Sequence, residues 1–303
     1  MGDKLFKTLD QLKDVLTDER GLVVPNPDEL KSYIARVNYY RFSGYAREFQ
    51  IDPRYGDNRF VKGTTFEEIR EIMEIDSKMR SLLLRGLSSI EVATRSLIAH
   101  EYSRAYGETA FYLDSDFYND SANPNEDKPN VIVSGILSDL ERDKSNMVSR
   151  YVDRSIDGDD LGSRLLRYAN VPIWVAVELV SFGRVSNLIA YAKDPAPAKA
   201  AAAHFKLQWA PFAEVIHSLS VLRNLCAHQR QLWNRKMGIL CPVQKKLKPR
   251  NVRFNPTSAY CQVLMMNHYI SKIDDDASVA AEIEALLDSN STYAKGFMIP
   301  SPK

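Results

Sequence analysis

The stretch 222–235, LRNLCAHQRQLWNR, gathers residue types that do chemistry at neutral pH. Within it Arg223, Asn224 and His228 form the pattern R-N-x-x-x-H. On a helix, residues four apart share a face, so Asn224 and His228 are stacked neighbours, whereas Arg223 and His228, five apart, lie about 140° apart around the axis. A guanidinium grips a phosphate through two parallel hydrogen bonds, and an imidazole, with an ordinary pKa of roughly 6.5, moves a proton near neutrality. With an asparagine beside them, these groups suit RNA cleavage, because the ribose 2′-OH of the substrate supplies the nucleophile. No metal and no cofactor is then required. Alone, the spacing is a weak pattern, since a surface Arg and a half-buried His five apart occur in many helices.

The charge distribution adds to it. The 303 residues carry 40 Lys+Arg and 39 Asp+Glu, a formal net charge of +1. Yet no acidic residue occurs between Glu214 and Asp274, an interval that holds Arg223, Arg230, Arg235, Lys236, Lys245, Lys246, Lys248, Arg250, Arg253 and Lys272. A segment so one-sided points to a polyanion, for which phosphate is the usual ligand, or else to acidic neighbours elsewhere in the fold. Arg230, Arg235, Lys236 and the arm carrying Lys245, Lys246, Lys248, Arg250 and Arg253 are therefore the candidate RNA-binding cations.

The elements that must position these groups read as helices. Thr65 and Glu68 stand at capping-box spacing ahead of Phe66, Ile69, Ile72, Met73, Leu83, Leu87, Ile90, Leu97 and Ile98, which predicts one long amphipathic helix over 65–103, or two in series with Gly86 as the weak point. A second helix is predicted from Pro211 to Trp233, with Trp233, Asn234 and Arg235 closing it. Shorter helices are predicted at 8–20, ended by Gly21, and at 27–36, 131–155, 172–182, 184–193 and 257–270. Residues 113–130 read as a long surface loop, 241–256 as a basic arm, and the stretch from Ser289 as a tail. The expected fold class is all-α. A helical N-terminal segment over 1–60 leads into a bundle over 61–275, and a C-terminal helix and tail follow over 276–303.

Composition excludes other classes. Hydrophobic residues at 45% and charged residues at 26% exclude a disordered or fibrous chain. No apolar run approaches the length of a membrane span, and Asp3, Lys4, Lys7, Asp10 and Lys13 break up the start, so a cytoplasmic protein with no membrane partner is expected. Cys226, Cys241 and Cys261 show no CxxC spacing, which fits a reducing compartment with neither disulfide nor zinc.

Three further blocks accompany the R-N-x-x-x-H string: NYYRFSGYAREF at 38–49, IEVATRSLIAH at 90–100 and VPIWVAVELVSFGRVSNL at 171–188. In this order the chain resembles, over about residues 36–270, the Abi-like (AbiD/AbiF) abortive-infection proteins of bacteria. The resemblance implies a HEPN-type helical bundle, commonly dimeric, whose motif makes it a metal-independent ribonuclease used against phage or in toxin–antitoxin systems. It implies catalysis by Arg223 and His228 with Asn224 in support, and for some relatives restraint by a partner RNA or a protein antitoxin. The expected activity is an endoribonuclease acting on single-stranded RNA. The alternative is a non-catalytic RNA-binding module or scaffold of a toxin–antitoxin pair.

Other residues could support the site. A buried Glu178 could orient Arg223, although a plain helix-end carboxylate is nearly as good a reading. Arg95 and His100 repeat the R-x4-H spacing, but Arg95 is better read as a structural partner of Glu91, four residues before it. Tyr40 and Arg41, with Tyr39 and Tyr45, could stack bases and hold phosphates or simply pack the N-terminal helices. His204, His217 and His268 read as structural. Because cleavage by internal attack profits from both a base and an acid, while one R-x4-H helix offers one imidazole, a homodimer with a composite cleft is expected. A monomer completed by Arg95 and His100 is the competing arrangement.

Overall fold

The capping box forms as its spacing predicts. Thr65 Oγ1 accepts from the Glu68 N–H at 3.2 Å, the Glu68 carboxylate accepts from the Thr65 N–H at 2.8 Å, and one uninterrupted helix runs over Phe66–Tyr106 until Gly107, at φ +76°, ends it. The protein is described here by a computed structural model that covers residues 6–123, 125–274 and 277–302. In chain order the α-helices are α1 (Leu9–Asp14), α2 (Pro27–Val37), α3 (Tyr39–Ala46), α4 (Phe66–Tyr106), α5 (Lys128–Glu141), α6 (Leu161–Arg167), α7 (Ile173–Leu179), α8 (Phe182–Tyr191), α9 (Ala196–His204), α10 (Phe212–Ala227), α11 (Tyr260–Ile273), α12 (Ser278–Asp288) and α13 (Ser291–Met298). The fold is thus mostly all-α. The exception is an antiparallel hairpin of β1 (Gln50–Asp52) and β2 (Asp57–Phe60).

At 41 residues α4 is about 60 Å long and forms the spine of the molecule. It buries Phe66, Ile69, Leu83, Leu87, Ile90 and Ile98 along one stripe, and α7, α9, α10, α11 and α12 pack around it. Gly86 does not interrupt it. A Cβ at that position would come within 2.7 Å of Ile270 Cδ1 and 3.1 Å of Met266 Sδ, so the glycine is what lets α11 approach closely. The N-terminal helices join the same core through Tyr33, Phe42 and Phe66, whose rings meet at 5.4 to 6.3 Å, and buried side chains continue without a break from Leu16 to Phe297.

Several boundaries differ from those predicted. The helix expected over 131–155 stops with α5, because Asp143 turns the chain by accepting the N–H groups of Ser145 at 2.7 Å and Val148 at 3.2 Å. The loop over 113–130 is anchored by Tyr118, fully buried, whose hydroxyl donates to the Tyr112 carbonyl at 2.7 Å. The stretch from Ser289 is no tail: it folds into α13, which buries Tyr293 and Phe297. Among the described residues no helix is long and apolar enough to cross a membrane.

All three cysteines are buried. Burial pushes the thiols of Cys226 and Cys241 up to about 12. Native protein at pH 8 is therefore expected to leave all three thiols unmodified by iodoacetamide, as read by intact mass, and to expose them together on unfolding in urea. Rapid alkylation of the folded chain would contradict this packing.

Candidate active site

Arg223 projects from the last turns of α10 toward α4, where the Glu91 carboxylate receives it. Arg223 Nε donates to Glu91 Oε2 at 2.9 Å, while Glu91 Oε1 takes Arg95 Nη2 at 2.5 Å and Arg95 Nε at 3.2 Å. Arg95 is buried, and its Nη1 donates to the Val180 carbonyl at 2.8 Å, capping the C-terminal end of α7. One carboxylate therefore holds a structural arginine with one oxygen and the motif arginine with the other. Arg223 Nη1 also donates to Asn224 Oδ1 at 3.3 Å. Its Nη2 has no hydrogen bond among the described residues, and the side chain stays 35% exposed. A guanidinium braced on one edge and open on the other is set up to meet a phosphate.

His228 does not lie inside the helix. It is the residue that ends α10: its N–H donates to the Asn224 carbonyl at 3.0 Å, and its side chain is exposed. Behind it, Gln229 takes the left-handed conformation at φ +54°. Its N–H donates to the Cys226 carbonyl at 3.0 Å and the Arg230 N–H to the Leu225 carbonyl at 2.9 Å. This pair of bonds is a Schellman motif with glutamine where glycine is usual, at a cost of roughly 1 kcal/mol. The helix predicted to reach Trp233 is thus cut at Ala227, and Trp233, Asn234 and Arg235 do not close it.

What enforces the strained turn is a buried polar hub. Asp76, fully buried on α4, accepts from the N–H of Leu232 at 3.1 Å, the N–H of Trp233 at 2.9 Å, the hydroxyl of Tyr293 at 2.8 Å, the hydroxyl of Tyr45, and Arg80. Burial first, and then the charge of Asp76, hold the phenols of Tyr45 and Tyr293 well above their ordinary range, so both remain donors. Arg80 in turn donates to Gln229 Oε1 at 3.2 Å and to the Arg230 carbonyl at 3.3 Å. From α3, Arg41 donates to the Gln229 carbonyl. Trp233 stacks on Phe49 at 5.7 Å and donates through its indole to the Thr292 carbonyl at 3.3 Å. Elements distant in sequence thus converge on the residues just after His228.

The other candidates fall into separate places. Glu178 is exposed on α7, where with Trp174 and His100 it lines a cleft of about 350 Å³; the buried carboxylate that pairs Arg223 is Glu91. Arg95 is buried on Glu91 and the Val180 carbonyl, whereas His100 lies exposed more than two turns beyond Glu91. Arg230 and Lys236 are exposed near the turn, and Arg235 is half-buried with its Nε on the Gln231 carbonyl at 2.7 Å. Lys245, Lys246, Lys248, Arg250 and Arg253 are exposed, but this arm runs beside α11. Cys241, at the start of the arm, meets Ser218, which lies about 15 Å back along α10 from His228. Tyr40 is 82% exposed beside Arg41. His217, half-buried, faces Ser186 Oγ across 3.2 Å, and burial lowers its pKa.

The family model described as "Abi-like protein" matches residues 32–234, two thirds of the chain. The chain belongs to the Abi-like family. The matched region opens within α2 and closes at Asn234, so it takes in α3, Asp76, Glu91, the R-N-x-x-x-H motif and the turn behind it. The basic arm over 245–253, and with it α11, α12 and α13, lies beyond the part matched to the Abi-like proteins. No curated protein and no solved structure matches the chain.

Proposed function

We propose that this Abi-like protein is a metal-independent endoribonuclease of a bacterial abortive-infection or toxin–antitoxin system, with Arg223, Asn224 and His228 as its HEPN-type motif. The observation that carries the reading is Arg223, braced by Glu91, with one edge of its guanidinium open beside Asn224 and one turn from an exposed His228. In the proposed step the ribose 2′-oxygen attacks the adjacent phosphorus while His228 takes its proton. The bond from phosphorus to the 5′-oxygen breaks, that oxygen takes a proton from the His228 of a second copy, and the products are a 2′,3′-cyclic phosphate and a 5′-OH. Arg223 neutralises charge that builds on the phosphoryl oxygens in the transition state. Glu91 is a positioning residue.

We further propose that two copies share the cleft. Base and acid are two proton-transfer roles, and within one chain the other candidate carrier, His100, lies exposed more than two turns along α4 from the Glu91 that braces Arg223. The test has two arms. Cleavage of a single-stranded RNA is expected to proceed at full rate in EDTA, and abolition by EDTA with restoration by magnesium would contradict the mechanism. Mixing wild-type chains with an excess of His228→Ala chains is expected to lower activity below the wild-type share, because a mixed dimer holds only one of the two imidazoles. Activity in proportion to the wild-type share, together with a light-scattering mass near 34.4 kDa, would contradict the shared cleft.

A further inference from the structure

A cleft of about 1270 Å³ opens between α1, α2, α3 and the β hairpin, on a part of the molecule that the mechanism above does not use. Lys7, Arg20 and Arg47 stand on its walls, and none of its described lining residues is acidic. Tyr39 and Tyr40 line it as well. Arg20 Nη1 donates to the Tyr39 hydroxyl at 3.3 Å, which fixes that ring, while Tyr40 is 82% exposed despite its size. Cations beside accessible aromatic faces are what a flexible polyanion with planar bases requires.

The cleft also has a direction. Gly44, in α3, forms part of its lining, and a Cβ there would lie 3.2 Å from Gln231 Oε1. The wall formed by α3 therefore abuts the turn that follows His228, the same turn that Arg41 ties through the Gln229 carbonyl. A strand lying in the cleft would run along α3 toward His228.

We propose that this cleft binds a segment of single-stranded RNA, with bases stacked on Tyr39 and Tyr40 and phosphates held by Lys7 and Arg20. As a substrate path the inference rests on the ribonuclease reading, whereas the binding itself does not. A duplex is disfavoured because its bases are already stacked on one another, and an acidic peptide would meet the cations while leaving the tyrosine faces unused.

The full-length His228→Ala chain, which keeps RNA intact, is titrated with a fluorescent oligouridylate carrying 4-thiouridine. Photocrosslinks are expected on the peptide holding Tyr39 and Tyr40. Adding Tyr40→Ala is expected to weaken binding about five-fold or more, and adding Lys7→Glu to weaken it while lowering its salt dependence. Both side chains are exposed, and circular dichroism checks that the fold is kept. Absence of RNA binding, crosslinks confined to other peptides, affinity unchanged by both substitutions, or equal displacement by polyglutamate would each overturn the cleft. Cleavage by the wild-type chain that survives such a result keeps the ribonuclease reading. Crosslinking in the cleft with no cleavage by the wild-type chain keeps the cleft and overturns that reading.

Discussion

Replacing His228 with alanine is expected to lower RNA cleavage by about 10²- to 10⁴-fold, the range a positioned proton carrier contributes. Its side chain is exposed and makes no hydrogen bond among the described residues, so the fold and its thermal midpoint should hardly change. RNA affinity should persist, because it rests on cations. Arg223→Ala should cut kcat comparably, since it removes charge stabilisation made in the transition state. Glu91→Gln separates positioning from chemistry: it keeps the size of the side chain, removes the charge that braces Arg223 and Arg95, and should lower kcat with little change in KM. Equal cleavage, or equal toxicity on expression, by the wild type and His228→Ala would favour the RNA-binding scaffold.

The largest effect on stability is expected at Asp76. Asp76→Ala strips the partner from Arg80, itself buried, and leaves the N–H groups of Leu232 and Trp233 and two buried phenols without an acceptor. Removing one member of a buried ion pair costs about 3–5 kcal/mol, because the charge left behind is uncompensated. Urea unfolding should report a loss of that size. Surviving Asp76→Ala protein should also lose activity, since Gln229 keeps its left-handed conformation only while Arg80 and the hub hold it. A change below about 1 kcal/mol would mean that the hub does not carry the turn.

Local signals in the sequence were read well where one residue type dictates a conformation. Thr65 and Glu68 announced α4 at its first residue, Gly21 ended the first helical segment at φ +75°, and the i, i+4 spacing of Glu91 and Arg95 gave their ion pair. The C-terminal end of α10 was not legible, because the apolar pattern continues through Leu232 and Trp233 and glutamine, not glycine, directly follows His228. What stops the helix is Asp76, far away in sequence, which captures the N–H groups of Leu232 and Trp233. The role of Gly86 was not legible for a similar reason, since its value lies in the approach of α11 and not in its own propensity. The pairing of Arg223 with Glu91 spans 132 positions. Only an indirect signal pointed that way: with no carboxylate between Glu214 and Asp274, any partner of Arg223 from outside that interval had to come from a distant element. The basic arm shows the converse, because a run of cations close to the motif in sequence lies beside α11 in space.

The ends of the RNA fragments made by the purified chain in EDTA test the account most directly. The expected result is a 2′,3′-cyclic phosphate on the upstream fragment and a 5′-OH on the downstream one, identified by mass spectrometry and lost together in Arg223→Ala and His228→Ala. Fragments ending in 3′-OH and 5′-phosphate, or the same ends produced undiminished by both variants, would contradict it.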